Sequence, residues 1–91
     1  MSLLTPLRDE INARRVARAR AGDAAAFRSL YRELEPVVAA FIARRVRTRA
    51  DAEDLTARVF MNFLKHLGDY DRGRGSVHAW VLRIARNAML D

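Results

Sequence analysis

Apolar residues recur every three or four positions through most of this chain, and that spacing limits the fold more than any other feature. Between about Thr48 and Leu67, a rotation of ~100° per residue places six residues on one side of a helix: Ala52, Thr56, Val59, Phe60, Phe63 and Leu67. No stretch alternates apolar and polar residues as a half-buried strand does. The pattern therefore predicts an all-α fold, a compact bundle of three to four helices.

Residues that start and stop helices divide the chain. Thr5-Pro6 and Gly22-Asp23 predict the starts of the first two helices, with threonine and aspartate as caps. Thr48, with Asp51 three residues later, and Ser76 predict the starts of the other two. Pro36 predicts a break in the second helix, because its ring removes a backbone donor and clashes with the preceding turn. The helices are expected at about residues 6–21, 24–46, 49–67 and 76–90.

A chain of 91 residues has room for one hydrophobic core, so a single domain over residues 1–91 is expected. Gly68 to Gly75 is predicted to be a loop. Leu7, Ile11 and Val16 do not share one face, which predicts loose packing of the first helix. The expected core stripe of the last helix contains Val77, Trp80, Val81, Ile84 and Ala88.

Charge and cysteine content narrow the function. Seventeen basic residues, sixteen of them arginine, oppose eleven acidic ones and give a net charge of +6. This excess predicts a polyanionic partner, although a basic face that serves only solubility also fits. The chain has no cysteine, no signal-peptide core and no run of eighteen apolar residues. A protein of the reducing cytoplasm without membrane contact is therefore expected.

Catalytic and metal-binding patterns are missing from the sequence. His66 and His78 are expected on different helices and lack the paired spacing of a zinc site. Asp69-Tyr-Asp71 is followed by Arg-Gly-Arg, where a calcium loop needs oxygen ligands. Gly73-Arg-Gly75 lacks the Gly-Lys-Ser/Thr of a phosphate loop. The sequence predicts a non-enzymatic protein without metal, cofactor or small-molecule substrate.

Three local features carry more information together than separately. Asp51-Ala-Glu-Asp54-Leu55 opens the third helix, where acidic residues also complement the helix dipole. The loop around Tyr70 combines glycines, arginines and a ring, which suits unstacked bases but also describes ordinary surface loops. In the last helix, Arg83 and Asn87 lie four residues apart and offer donors for phosphates and base edges.

In this order the features resemble the second domain of extracytoplasmic-function sigma factors. The resemblance covers about Val16 to Asp91. It rests on three groups of fragments: Ala19-Arg-Ala-Gly22-Asp23 with Ala26-Phe27 and Leu30-Tyr31; Asp51-Ala-Glu-Asp54-Leu with Val59-Phe60; and Tyr70-Asp-Arg-Gly73-Arg-Gly75-Ser76 with Ala79-Trp80-Val-Leu-Arg83-Ile-Ala-Arg86-Asn87.

The resemblance implies binding to core RNA polymerase at the clamp helices of its β′ subunit. The implied docking residues are Asp51, Asp54, Leu55, Ala57 and Arg58. Family members commonly have Gln-Glu where this chain has Ala57 and Arg58. Arg58 follows Asp54 by four residues, so an intrahelical ion pair worth roughly 0.3–0.5 kcal/mol is expected. The hypothesis is that binding to the polymerase is weakened but specific.

The resemblance also implies recognition and melting of the promoter minus-ten element on its non-template strand. The implied DNA-binding residues are Tyr70, Asp71, Arg72, Arg74, Ser76, His78, Arg83, Arg86 and Asn87. Such proteins continue into a helix-turn-helix domain, which is not present in this chain. The chain is therefore expected to be a piece of a longer protein or a single-domain protein. An anti-sigma factor is a further expected partner, and Leu82 and Met89 form a small patch that it, or a second copy, would cover.

Two other functions remain open on the sequence alone. One is a sigma-like mimic that binds an anti-sigma factor without contacting DNA, which the loss of Gln-Glu favours. The other is a basic helical protein that binds RNA or DNA of any sequence. The glycine- and arginine-bearing loop followed by Arg83 and Asn87 favours the sigma factor.

Overall fold

The computed structural model describes residues 4–90, and Met1 to Leu3 and Asp91 of the expected domain lie outside them. Four α-helices form a bundle, which confirms the predicted all-α class. Two short 3-10 turns, Leu67–Asp69 and Arg72–Arg74, connect the last two helices. The helices are α1 (Leu4–Arg20), α2 (Ala24–Ala43), α3 (Arg49–Lys65) and α4 (Val77–Leu90).

Side-chain caps begin three of these helices as predicted. Asp23 accepts a hydrogen bond from the Ala26 amide at 3.2 Å. Thr48 Oγ1 accepts one from the Asp51 amide at 3.0 Å. Ser76 Oγ accepts one from the Ala79 amide at 3.1 Å. Each cap satisfies an amide that the first helical turn leaves unpaired and is worth about 1 kcal/mol.

The predicted start of α1 and the predicted break in α2 are both wrong. Leu4 is already helical, so Thr5 does not occupy a cap position. The second helix continues through Pro36 and ends at Ala43 rather than near residue 46. Pro36 lies on the exposed side, so the helical hydrogen bond that it removes does not leave a polar group in the core. The buried stripe continues on both sides of it and stabilises one uninterrupted helix.

Helix α2 lies at the centre of the bundle and contacts the three other helices. Its stripe of fully buried residues consists of Leu30, Leu34, Val38 and Ile42. In α4 the buried stripe is shifted by part of a turn from the prediction, because Ala85 is buried whereas Trp80 and Ile84 are only half-buried. This shift leaves Trp80 at the boundary between the core and the loop that precedes α4.

Helix α1 enters the core through Ala13 and Val16 and is also held to α2 by a polar cluster. Leu7 and Ile11 are 60% and 49% exposed, whereas the side chain of Asn12 is fully buried. Asn12 Nδ2 donates to Glu33 Oε2 at 2.6 Å. Arg15 Nη1 donates to Asn12 Oδ1 at 3.0 Å and to Glu33 Oε1 at 3.3 Å. Hydrogen bonds thus supplement the few apolar residues that α1 buries.

Replacing Asn12 with alanine is expected to lower the free energy of unfolding by about 1–3 kcal/mol, because Glu33 loses a buried donor. Chemical denaturation of the 91-residue chain measures this effect. Asn87→Ala, at an exposed position, is the matched control and should change stability by less than about 0.5 kcal/mol. Equal denaturation midpoints for the two variants would contradict the anchoring role of Asn12.

Candidate functional site

The acidic start of α3 presents carboxylates to solvent. Asp51, Glu53 and Asp54 are all exposed. Glu53 is paired with Arg49, whose Nε lies 3.2 Å from Glu53 Oε1. Asp51 and Asp54 form no salt bridge with any residue between 4 and 90. Two negative charges on one helical turn are therefore available to a partner.

The expected ion pair between Asp54 and Arg58 is not formed, so that prediction was wrong. Within the described residues Arg58 has no ion-pair partner, and its side chain lines a groove that α3 shares with α2 and α4. Leu55 is half-buried and lines the same groove, whereas Ala57 is exposed. The predicted docking residues therefore lie in two places, with Asp51 and Asp54 on the first turn of α3 (the acidic turn) and Leu55 and Arg58 in the groove, while Ala57 lies outside both.

The loop before α4 is more ordered than the sequence predicts, because it contains two 3-10 turns. Asp71 caps the second turn by accepting a hydrogen bond from the Gly73 amide at 2.9 Å. Tyr70 Oη donates to the Gly75 carbonyl oxygen at 2.9 Å and so closes the loop on itself. Gly75 has φ +136°, a conformation that L side chains rarely adopt. The loop therefore has a shape defined by its own hydrogen bonds.

Tyr70 lies at the edge of the core and is not a free ring on the surface. Its side chain is 9% exposed, and its ring centroid lies 5.3 Å from that of Trp80. Burial raises the pKa of the Tyr70 hydroxyl, and the carboxylates of Asp9 and Asp71 raise this pKa further. Burial and hydrogen bonding show that Tyr70 shapes the loop, while direct contact with a base stays a prediction.

A contact between α1 and the loop could not be predicted from the sequence. Arg72 forms a salt bridge with Glu10 of α1, and Asp9 of α1 lies close enough to Tyr70 to influence its pKa. No local pattern indicates this pairing, because the two partners lie on elements far apart in the sequence. Helix α1 thus supports the loop, and Glu10 partly neutralises the charge of Arg72.

A small cavity of about 100 Å³ opens between the loop and α4. Carboxylates, guanidinium groups and two rings surround it, so it offers donors, acceptors and an aromatic wall to a planar polar group. Arg74 is exposed at its rim, and Ser76 uses its hydroxyl oxygen to cap α4. The lining residues are Asp69, Tyr70, Asp71, Arg74, Gly75, Ser76, Trp80 and Arg83.

The exposed face of α4 extends from this cavity. Arg83, Arg86 and Asn87 are exposed, and none of their side chains has a hydrogen-bond or ion-pair partner within residues 4–90. Arg83 lines both the loop cavity and the groove that contains Arg58. His78 is half-buried and lines neither. The structure therefore joins five of the predicted DNA-binding residues in one cavity and places Arg72, His78, Arg86 and Asn87 outside it.

The described part of the chain shows no feature of a metal centre or a membrane span. His66 Nδ1 contacts Asp69 Oδ2 at 2.9 Å, and this pair is not joined by a third metal-binding side chain. None of the described helices is both long and apolar enough to cross a bilayer.

Residues 30–91 match the family described as Sigma-70 region 2. The chain belongs to this family. Its membership confirms the resemblance drawn from the sequence motifs and the expectation of a domain without catalytic activity. The match includes α3, the loop cavity and all of α4, so the whole candidate site lies within the sigma region 2 domain apart from the support from α1.

Two curated relatives are sigma factors. The chain is 40% identical over 76 residues to the ECF RNA polymerase sigma factor BldN of Streptomyces coelicolor, covering 84% of this chain and 29% of that protein. It is 38% identical over 74 residues to the RNA polymerase sigma factor CarQ of Myxococcus xanthus, covering 81% of this chain and 42% of that protein. The chain thus spans less than half the length of either relative. No solved structure gives a significant match.

Replacing Tyr70 with phenylalanine is expected to lower the free energy of unfolding at neutral pH by about 1 kcal/mol, because the hydrogen bond to Gly75 is lost. The raised pKa also makes stability pH-dependent. The stabilising contribution of the protonated Tyr70 hydroxyl is fully present below about pH 10, which is the pKa of an unfolded tyrosine. This contribution is lost as the pH rises through the higher pKa of the folded state. Above pH 10 the original chain should therefore lose stability more steeply than Tyr70→Phe.

Denaturation series at neutral and alkaline pH measure both effects. Tyr31 is exposed and present in both proteins, so its titration cancels in the comparison. Parallel stability curves above about pH 10 would show that the Tyr70 hydroxyl is not protected by the fold.

Proposed function

We propose that this sigma region 2 domain binds core RNA polymerase and recognises and melts the promoter minus-ten element. The observation that carries the proposal is the cavity between the loop and α4, continued by unpaired donors at Arg83 and Asn87. A polar cavity with an aromatic wall suits a nucleobase removed from its stack, and adjacent donors suit the strand that carries it. The names of the two relatives, both sigma factors, support the same function.

The polymerase is proposed to bind at the acidic turn of α3, through the clamp helices of its β′ subunit. Asp51 and Asp54 are exposed and unpaired within the described residues, so no internal ion pair has to break when a basic partner docks. Arg58 does not neutralise Asp54, because it lies in the groove without an ion pair. It still adds positive charge to this helix, which is expected to weaken attraction to a basic surface.

Melting is proposed to occur by capture rather than by catalysis. Removing a base from the duplex costs a few kcal/mol, and a site that binds only the extruded base offsets that cost. Tyr70 and Trp80 form the wall of the cavity, while Asp71 and Arg74 offer acceptors and donors for the edge of a base. The loop is already closed by the bond from Tyr70 to Gly75, so little ordering entropy is lost when the base enters.

Contacts with the phosphates of the DNA backbone are proposed for Arg74, Arg86 and Arg72. Such contacts release counterions and give affinity that depends on salt and not on sequence. Arg72 differs from the others, because its salt bridge with Glu10 must be shared or broken before it contacts a phosphate. A module with these partners acts in the bacterial cytoplasm at the nucleoid.

A second candidate function is that of a mimic that binds a regulatory protein and not DNA. Its support is the position of Arg58, which adds a cation to a groove that already contains Arg83 and Arg86. The loop cavity is not required by this alternative. Binding of single-stranded minus-ten DNA in the presence of core polymerase distinguishes the two functions, because a mimic does not bind this DNA.

The double substitution Asp51→Ala/Asp54→Ala is expected to weaken binding to core polymerase roughly tenfold, because both unpaired carboxylates are lost. Pull-down of core polymerase by the 91-residue chain measures the effect. Glu53→Ala is the matched control, since that acid lies on the same turn but is paired with Arg49. Arg58→Glu is expected to tighten binding several-fold by removing the repulsive charge. Equal recovery of polymerase by all four proteins would refute the docking surface.

Arg83→Ala and Asn87→Ala are each expected to weaken binding of single-stranded minus-ten DNA about tenfold, because each removes donors to bases or phosphates. Arg86→Ala should lower the affinity for all sequences equally and reduce the salt slope by about one. Fluorescence anisotropy with labelled oligonucleotides, in the presence of core polymerase, measures these changes. Arg28→Ala, on the exposed face of the first half of α2, is the control. Loss of affinity with Arg28→Ala as large as with Arg83→Ala would reject a localised DNA site.

A further inference from the structure

The loop before α4 has a cavity on each of its two sides, and Tyr70 and Asp71 line both of them. The second cavity, of about 340 Å³, lies between the loop and α1 and is called the α1 cleft below. Arg72 lines the α1 cleft and does not line the loop cavity. The residues that α1 contributes to the cleft are Ala13, Arg14, Val16, Ala17 and Arg20. The loop therefore offers a nucleic acid strand two places with different cations.

The α1 cleft is rich in arginine. Three guanidinium groups line it, from Arg14, Arg20 and Arg72. A guanidinium group pairs with a phosphate whatever base that phosphate carries. A strand that enters this cleft is therefore held by its backbone and not by its sequence.

Glu10 of α1 already pairs with two of these three arginines. One of its carboxylate oxygens, Oε2, forms the salt bridge with Arg72. The other, Oε1, accepts a hydrogen bond from Arg14 Nε at 3.1 Å. Arg20 is exposed and has no ion-pair partner within residues 4–90. Glu10 thus occupies, from within the chain, two cations that a phosphate would otherwise contact.

The pairing of Glu10 with Arg72 can be exchanged without stranding a buried charge. The side chains of Glu10 and Arg72 are 35% and 57% exposed, so water reaches both when they separate. Glu10 also keeps Arg14, on the same helix, as a partner when Arg72 turns towards a phosphate. An exposed pair of this kind changes an affinity by a factor of a few. Glu10 is therefore suited to reduce binding in the α1 cleft and not to abolish it.

We propose that Glu10 is a specificity-determining residue, whose carboxylate competes with phosphate for the arginines of the α1 cleft and so disfavours sequence-blind binding of single-stranded DNA. This role rests on the proposed function, since it concerns the choice between promoter DNA and other DNA. Discrimination requires a cost for the wrong ligand as well as contacts with the right one.

The two cavities explain why the cost is unequal for the two kinds of DNA. A base captured in the loop cavity locates its strand on the side of α4, where Arg74 and Arg83 are not paired with Glu10. A strand without a fitting base depends on backbone contacts, and in the α1 cleft it gains them only by displacing Glu10.

The test compares Glu10→Gln with the original 91-residue chain. Labelled oligothymidine is titrated without polymerase at several salt concentrations, and fluorescence anisotropy measures the affinity. Glu10→Gln is expected to bind oligothymidine about threefold more tightly. The fall of log affinity with log salt should steepen by about 0.7, the value for one added phosphate contact of a single strand. In the presence of core polymerase, the affinity for single-stranded minus-ten DNA should change less than about twofold, so the preference for that DNA falls.

Arg72→Gln separates electrostatic competition from mechanical support of the loop. It breaks the same ion pair as Glu10→Gln, so a loss of support would change both variants in the same direction. Competition predicts different directions, because Arg72→Gln removes the cation and should not tighten binding. In the double variant Glu10→Gln/Arg72→Gln, at least about half of the gain from Glu10→Gln should disappear. Chemical denaturation verifies that all three variants are folded.

Glu53→Gln is the matched control. Glu53 Oε1 lies 3.2 Å from Arg49 Nε, so this variant also releases an exposed arginine and changes the net charge equally. Glu53 lies near the start of α3, whereas the loop follows the end of that helix. The affinity for oligothymidine should change less than about 1.5-fold, because salt screens a charge that is distant from the bound strand.

Four results would overturn the proposal. Unchanged affinity of Glu10→Gln for oligothymidine, or no binding by that variant at the lowest salt, would show that Glu10 blocks no phosphate site. An equal gain with Glu53→Gln would show that net charge alone acts. Tighter binding by Arg72→Gln, or an undiminished gain in the double variant, would show that Arg72 is not the released cation. Equal tightening of minus-ten DNA and oligothymidine would remove the role in specificity.

Failure of the proposed function gives a different set of results. In that case neither the original chain nor Glu10→Gln prefers minus-ten DNA in the presence of polymerase, while Glu10→Gln still binds oligothymidine more tightly. If only the role of Glu10 is wrong, both proteins prefer minus-ten DNA to the same extent and bind oligothymidine equally.

Discussion

The packing of aromatic rings around Phe63 links the core of this domain to its candidate site. Phe63 is fully buried, and its ring lies 6.1 Å from Phe27 of α2 and 5.2 Å from Trp80 of α4. Trp80 in turn packs on Tyr70 at 5.3 Å, and Tyr70 closes the loop through its hydrogen bond to Gly75. The shape of the loop cavity therefore depends on rings buried between three helices, so it is set when the bundle folds.

Charge divides the surface of the domain into an acidic region and a basic region. The acidic turn with Asp51 and Asp54 is free of internal ion pairs within the described residues, whereas Glu53 beside them is paired. Further along the same face of α3, Arg58 lies in a groove whose cations include Arg83, and Arg83 also lines the loop cavity. Two partners that both use Arg83 cannot bind independently, because one guanidinium cannot be fully paired with both. That shared residue couples the proposed DNA site to the groove.

Much of the local structure could be predicted because it depends on neighbours along the chain. Thr48 and Ser76 cap their helices as expected, since a cap requires only an oxygen two or three residues before an unpaired amide. Pro36 was misjudged because its local cost is outweighed by the buried stripe of α2 on both sides of it. Arg58 was misjudged for a similar reason, since spacing of four residues permits an ion pair but the groove competes for the side chain.

The sequence by itself determined the all-helical class, the caps, the acidic turn and the residues of the loop, because each depends on spacing within one element or on residue type. Only the tertiary structure decided that Glu10 supports Arg72, that Asn12 anchors α1, and that Arg58 joins Arg83 around an apolar groove. These contacts join residues on different elements. Their distances follow from how the helices pack in three dimensions, and no pattern along a single helix contains that information.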